Sequence, residues 1–127
     1  LPPEYKPWLD GYVRFVEETR HEPIASEFEV ISQRWRYCGH PDRLAWMAGK
    51  RTLCDWKSGD STGVQWQLCG YAEAWNEMHP TEPVEQTIAV QLRGDGSYRM
   101  TPIDFVAART VWRAAVIVYH ARFPGGK

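Results

Sequence analysis

The chain of 127 residues is 43% hydrophobic and 24% charged. That balance excludes a disordered or fibrous protein and fits one domain with a modest core. No apolar run approaches the ~20 residues needed to cross a bilayer, and no basic start with an apolar centre marks a signal peptide. The formal net charge is −1, so overall charge gives no reason to expect a polyanionic partner.

The distribution of charge is less even. Residues 1–30 carry seven acids and three bases, and residues 58–127 carry seven acids and six bases. Residues 31–57 carry six bases, Arg34, Arg36, Arg43, Lys50, Arg51 and Lys57, against Asp42 and Asp55 alone. The middle of the chain is therefore a basic stretch that could attract a polyanion or simply form a solvated strand face. Cys38, Cys54 and Cys69 lack the paired spacing of a zinc or iron–sulfur site. They read as reduced thiols in a cytosolic protein. The chain begins Leu-Pro-Pro-Glu-Tyr without an initiator methionine, which fits a trimmed chain or a piece of a longer one.

In chain order, Trp8, Leu9, Tyr12, Val13 and Val16 mark an amphipathic helix from about Pro7 to Arg20, stopped by His21-Glu22-Pro23. Alternation then predicts a strand over Ile24–Ser32 and two more over Trp35–Met47 and Arg51–Lys57, with Ala48-Gly49 as the turn. Ser58 to Gly63 is a polar, glycine-containing loop. A helix follows from Val64 to Met78, ended by His79-Pro80. Strands Gln86–Leu92 and Ser97–Ile103 flank the hairpin signal Gly94-Asp95-Gly96. Thr101-Pro102-Ile103-Asp104 has the form of a helix start leading to a last helix ending near Phe123. The order α-β-β-β-α-β-β-α describes one α/β domain spanning 1–127, with a mixed rather than a purely parallel sheet.

Two aspartates and a lysine interrupt the second and third strands. A two-residue turn at Ala48-Gly49 pairs Met47 with Lys50. Continuing that pairing outward sets Asp42 opposite Asp55, with Cβ atoms ~5 Å apart. A turn at Gly49-Lys50 would instead set Asp42 opposite Lys57, again on one face, and an odd loop without a bulge would send Asp42 to the other face. Lys57 shares the face because strand side chains alternate. Directly opposed like charges destabilise a sheet, and a divalent cation is the usual remedy. Mg²⁺ takes oxygen ligands and is commonly held by one or two carboxylates. A lysine beside it can position the attacking water and stabilise charge developing on phosphorus. Metal-assisted phosphodiester hydrolysis fits this set. The competing reading is a surface strand with alternating charges.

Further motifs accompany these residues. Glu27-Phe28-Glu29-Val30 precedes Tyr37-Cys38-Gly39-His40-Pro41-Asp42, then Asp55-Trp56-Lys57-Ser58-Gly59, then Gln67-Leu68-Cys69-Gly70-Tyr71. In order and spacing this set resembles the nuclease core of the PD-(D/E)XK superfamily, in its RecB-like and phage-exonuclease branch. The resemblance implies a restriction-endonuclease-like core, a central mixed β-sheet flanked by helices. It also implies a Mg²⁺- or Mn²⁺-dependent deoxyribonuclease acting on DNA in recombination, repair or phage genome processing. Asp42 and Asp55 would ligate the metal with the backbone carbonyl of Trp56, and Lys57 would be the catalytic lysine. Glu27 would complete the shell directly or through water, with Glu29 as the alternative on the same strand face. Gln67 would hold the lysine or the substrate, and Tyr71 would either contact DNA or pack in the core. Arg34, Arg36, Arg43 and Arg51 would contact the DNA backbone, without reading sequence.

Trp35, Trp46, Trp66 and Trp75 could stack on bases, but core packing accounts better for most of them. His21 does not occupy the place of the upstream metal-binding histidine found in many relatives. An N-terminal helical segment could carry that ligand, or the protein could manage without it. Exonuclease and endonuclease action both remain open, as do a homo-oligomer and a recombination partner protein. A catalytically inactive DNA-binding module on the same fold is the alternative.

Overall fold

The structure, a computed structural model, describes residues 2–125. After a short 3-10 turn at Pro3–Tyr5, helix α1 spans Lys6–Thr19. Strands β1 (Glu22–Ser26), β2 (Val30–Ser32), β3 (Tyr37–Gly39), β4 (Arg43–Met47) and β5 (Lys50–Lys57) follow. Helix α2 is Val64–Met78, strands β6 and β7 are Gln86–Leu92 and Tyr98–Ile103, and helix α3 is Arg109–Arg122. Five strands form a mixed sheet in the order β1-β4-β5-β6-β7, and β2 pairs with β3 in a separate two-stranded ribbon. The β5–β6 pair is parallel and its neighbours are antiparallel. Among the described residues no helix is long and apolar enough to cross a membrane.

Three expected elements differ. The strand expected over Ile24–Ser32 is two strands in two sheets, because Glu27 adopts the left-handed conformation at φ 48° and turns the chain out of the first ladder. The strand expected over Trp35–Met47 is likewise divided, since Pro41 offers no N–H to a ladder and β4 begins only at Arg43. Thr101-Pro102-Ile103 ends β7 and does not start a helix. Proline is tolerated there because β7 is an edge strand. Asp104 then accepts the Ala107 N–H at 3.0 Å and shapes a turn before α3.

Side-chain alternation divides the core. Phe15, Met47, Cys54, Ile88 and Val90 form one cluster, with Trp56, Leu92 and Tyr98 packed against it. Leu44, Leu53 and Ala89 lie on the other face with Val64, Leu68, Ala72 and Trp75 of α2. Each fully buried large apolar side chain contributes roughly 1.5–3 kcal/mol. Consequently Trp56 faces α1, while Asp55 and Lys57 face α2. Of the four tryptophans considered for stacking, only Trp75 is buried in the core.

Arg43 pins the α1 side. Its guanidinium donates to Ser26 Oγ at 3.1 Å and to Tyr12 Oη at 2.8 Å, and lies 5.0 Å from the Trp56 ring centroid. A third contact, 2.9 Å long, reaches Nε2 of the buried His21. Thr19 gives its hydroxyl proton to the Phe15 carbonyl, so its contact with His21 Nδ1 requires the imidazole to donate there. Nε2 is then free to accept from Arg43. Burial and the Arg43 charge both hold the His21 pKa below its ordinary value and favour this neutral tautomer. Arg43 thus has a structural role, and it also lines a groove with Glu27 and Asp42.

Replacing Arg43 with Ala should destabilise the fold by about 2–4 kcal/mol, through unpaired Tyr12 and His21 groups and lost ring contacts. Urea denaturation followed by tryptophan fluorescence would test this; an unchanged midpoint would refute it.

Candidate active site

The site forms where β5 ends and α2 begins. Two left-handed residues, Ala48 at φ 52° and Gly49 at φ 75°, make the turn between β4 and β5. Both left-handed conformations suit a two-residue hairpin turn. Met47 pairs with Lys50 and the ladder runs outward to Arg43 opposite Cys54. The ladder stops there; extended by one step, its register sets Asp42 against Asp55 at a non-hydrogen-bonded position, where facing side chains come closest, and the two carboxyls do come within hydrogen-bond reach.

The backbone leaves the ladder at Pro41, so the N–H of Trp56 has no strand partner there. The Asp42 carboxylate replaces it, with Oδ2 accepting from Trp56 N at 2.8 Å. Because the N–H and C=O of one strand residue face the same neighbour, the Trp56 carbonyl also faces Asp42. Glu27 is tied to the same point, its backbone N–H donating to the Asp42 carbonyl at 2.9 Å.

Asp55 is buried, with its carboxyl within hydrogen-bond reach of Asp42. Burial first, and the Asp42 carboxyl next, push its pKa up to about 6 against the opposing pull of Lys57. Lys57 Nζ, with three N–H donors, pairs with Asp55 Oδ2 at 3.0 Å and also donates to Gln67 Oε1 at 2.9 Å. Gln67 Nε2 donates to Tyr71 Oη at 2.7 Å, which completes a chain from acid to lysine to amide to phenol. The i, i+4 spacing of Gln67 and Tyr71 on α2 makes that last contact possible.

These groups suit a hard divalent cation. Asp42, Asp55 and the Trp56 carbonyl supply oxygens, and two carboxyls in contact, one of them buried, are what such an ion would stabilise. Among the described residues, no three or more Asp, Glu, His or Cys side chains converge as a metal-binding group. Two carboxylates are the usual protein share at a Mg²⁺ site. Glu27 lines a groove of about 600 Å³ with Asp42, Trp8, Tyr12 and Trp56, so it lies beside the pair without joining it. Glu27 and Glu29 do not share a strand face, because both fall in the segment between β1 and β2. Glu29 instead pairs with His40 at 3.3 Å and lines a different groove, with Arg36 and His120.

Of the four expected arginines only Arg43 borders the acids, in the groove with Asp42 and Glu27. Arg34 donates its backbone N–H to Glu77 near the far end of α2, ten residues and ~15 Å along the helix from Gln67. Arg36 lies in the turn between β2 and β3. Arg51 sits four residues before Asp55, ~13 Å back along β5, where it donates to the Pro83 carbonyl and stacks on Trp46. A basic run in sequence is thus dispersed by the fold.

Gly39 emerges as a site residue for a reason spacing did not supply. The Tyr71 ring lies against its Cα, and any Cβ there would overlap the ring. The glycine of the Gly-x-x-Asp motif seats the phenol that orients Gln67.

No protein-family model matches the chain, and no curated protein matches it.

Ionising Asp55 in the metal-free fold opposes stability, since its folded pKa stands above its unfolded value of 3.8. Asp55→Asn should therefore raise stability in EDTA at pH 8 by about 1–2 kcal/mol after allowance for solvent screening. That corresponds to roughly 3–8 °C in Tm. The gain should vanish below about pH 4, where the wild-type carboxyl is protonated in both states. Thermal melts at the two pH values check both the size and the sign.

Proposed function

We propose that the chain is a divalent-metal-dependent DNA nuclease that hydrolyses phosphodiester bonds, on a restriction-endonuclease-like core of the PD-(D/E)XK type. One observation carries the reading. The Asp42 and Asp55 carboxylates meet across a hairpin, with Lys57 beside them and braced by Gln67. A surface strand with alternating charges would not need to bury Asp55 or position its lysine through a second element.

Asp42, Asp55 and the Trp56 carbonyl would hold Mg²⁺ or Mn²⁺, with Glu27 adding a ligand through water. The bound ion would supply positive charge for the phosphate oxygens and lower the pKa of water. The protein's own groups do the rest. Lys57, fixed between Asp55 and Gln67, presents an ammonium toward the space above the acids. It orients the attacking water and offsets charge gathering on phosphorus. Gln67 holds Lys57 in that position, and Tyr71, packed on Gly39, holds Gln67. DNA recombination, repair or phage genome processing in a cytoplasmic setting are the contexts this chemistry suits, by either exonuclease or endonuclease action.

A second reading has specific support. Among the described residues no third carboxylate joins the pair, which favours a binding or recombination-accessory module with weak catalysis. Incubation with linear and circular DNA in Mn²⁺ separates the two. Under the nuclease reading the wild type cuts, and Asp55→Ala and Lys57→Ala each lose about 100-fold or more. DNA binding without cleavage by the wild type would leave the accessory module; equal cleavage by all three would place the chemistry elsewhere.

A further inference from the structure

A cavity of about 330 Å³ opens next to the acid–lysine centre, lined by Tyr37, Gly39, Trp66, Gln67, Tyr71 and Trp112 among others. We propose that it is a stacking pocket for one unpaired nucleobase, which makes single-stranded or frayed DNA the substrate of the neighbouring centre. The proposal rests on the nuclease reading for the identity of the polymer.

The cavity shares a wall with the centre. Gln67, which accepts from Lys57, and Tyr71, which accepts from Gln67, both line it. A ligand there lies one side chain away from the lysine. None of the lining residues is charged, so the pocket suits a neutral planar group and not a phosphate. Its volume is at the small end of ligand pockets, ~300–1,000 Å³, ample for one base and closed to a duplex. A base still paired and stacked could not reach its walls.

The rings are also fixed in advance. Tyr71 lies on Gly39 and Trp112 lies on Gly70, each so close that a Cβ on the glycine would overlap the ring. Trp66 packs near Gly63, the left-handed residue at φ 83° preceding α2. Rings seated on bare backbone lose little freedom when a ligand arrives. Trp66 remains 37% exposed at the rim, while Val64 and Leu68 of the same helix serve the core. The amide groups of Gln67 are already engaged, so the pocket offers stacking with little reading of base edges. Recognition of that kind tolerates any sequence.

The test uses the full chain carrying Asp55→Ala, in EDTA, with tryptophan fluorescence and titration of an oligothymidylate of about eight nucleotides or a blunt hairpin duplex. The expected result is quenching by the single strand. Adding Trp66→Ala should weaken single-strand binding about 5- to 100-fold, whereas Trp66→Phe should restore most of it and duplex binding should barely change. Circular dichroism would establish that each variant is folded. Single-strand binding that ignores Trp66, or a preference for duplex without quenching, overturns the pocket. If such a result accompanies Mn²⁺-dependent cleavage by the wild type, the nuclease reading survives alone. Trp66-dependent binding without cleavage by the wild type keeps the pocket and removes the nuclease.

Discussion

The site depends on a turn of two residues. Ala48 and Gly49 reverse β4 into β5 in left-handed conformations, and that fixes which side chains face each other along the whole hairpin. A turn longer by one residue, with no compensating bulge, would send Asp42 to the α1 face and leave Asp55 alone under α2. Given the observed register, two carboxylates meet at the open end of the ladder. Pro41 ends the backbone pairing there, and the Asp42 side chain takes the Trp56 N–H that the backbone leaves unpaired. The end of the backbone pairing thereby fixes one carboxylate in place. Its fixed position in turn brings the second into contact.

Holding those acids together is unfavourable for the folded chain itself. Asp55 is buried and pushed toward its neutral form. Lys57 compensates in part, pairing with Asp55 at 3.0 Å while it donates to Gln67. The fold carries a local cost here, the kind of departure from its own stability that a candidate site shows. The surrounding structure is correspondingly rigid. Arg43 binds three elements on one side of the sheet, and Glu73 of α2 holds both Arg109 and Arg113 of α3 on the other.

Much of this was legible from periodicity and turn chemistry. The bounds of α2 and β6, the Ala48-Gly49 turn and the meeting of Asp42 with Asp55 all follow from patterns within a short span of chain. The i, i+4 pair of Gln67 and Tyr71 was legible for the same reason. What escaped depends on contacts between distant segments or on unusual backbone. The left-handed Glu27 cannot be inferred from Glu-Phe-Glu-Val, which alternates like any strand and so places Glu27 and Glu29 on one face. The arginines were close in sequence, but a ribbon, a sheet edge and a strand end carry them apart. Thr101-Pro102-Ile103-Asp104 satisfies helix-start chemistry, and only its place at a sheet edge decides against it. The need for glycine at position 39 lies in a tyrosine 32 residues away along the chain.

Both outer strands of the five-stranded sheet contain a proline. Pro23 lies in β1 beside an irregular step in its pairing with β4, and Pro102 lies in β7 opposite Ile88. Each removes a donor from a row of backbone groups that another chain could otherwise extend. The sheet is thereby discouraged from growing sideways, into a neighbour or into a fibril. Any assembly of this protein is steered toward its helices and loops, away from strand-to-strand joining.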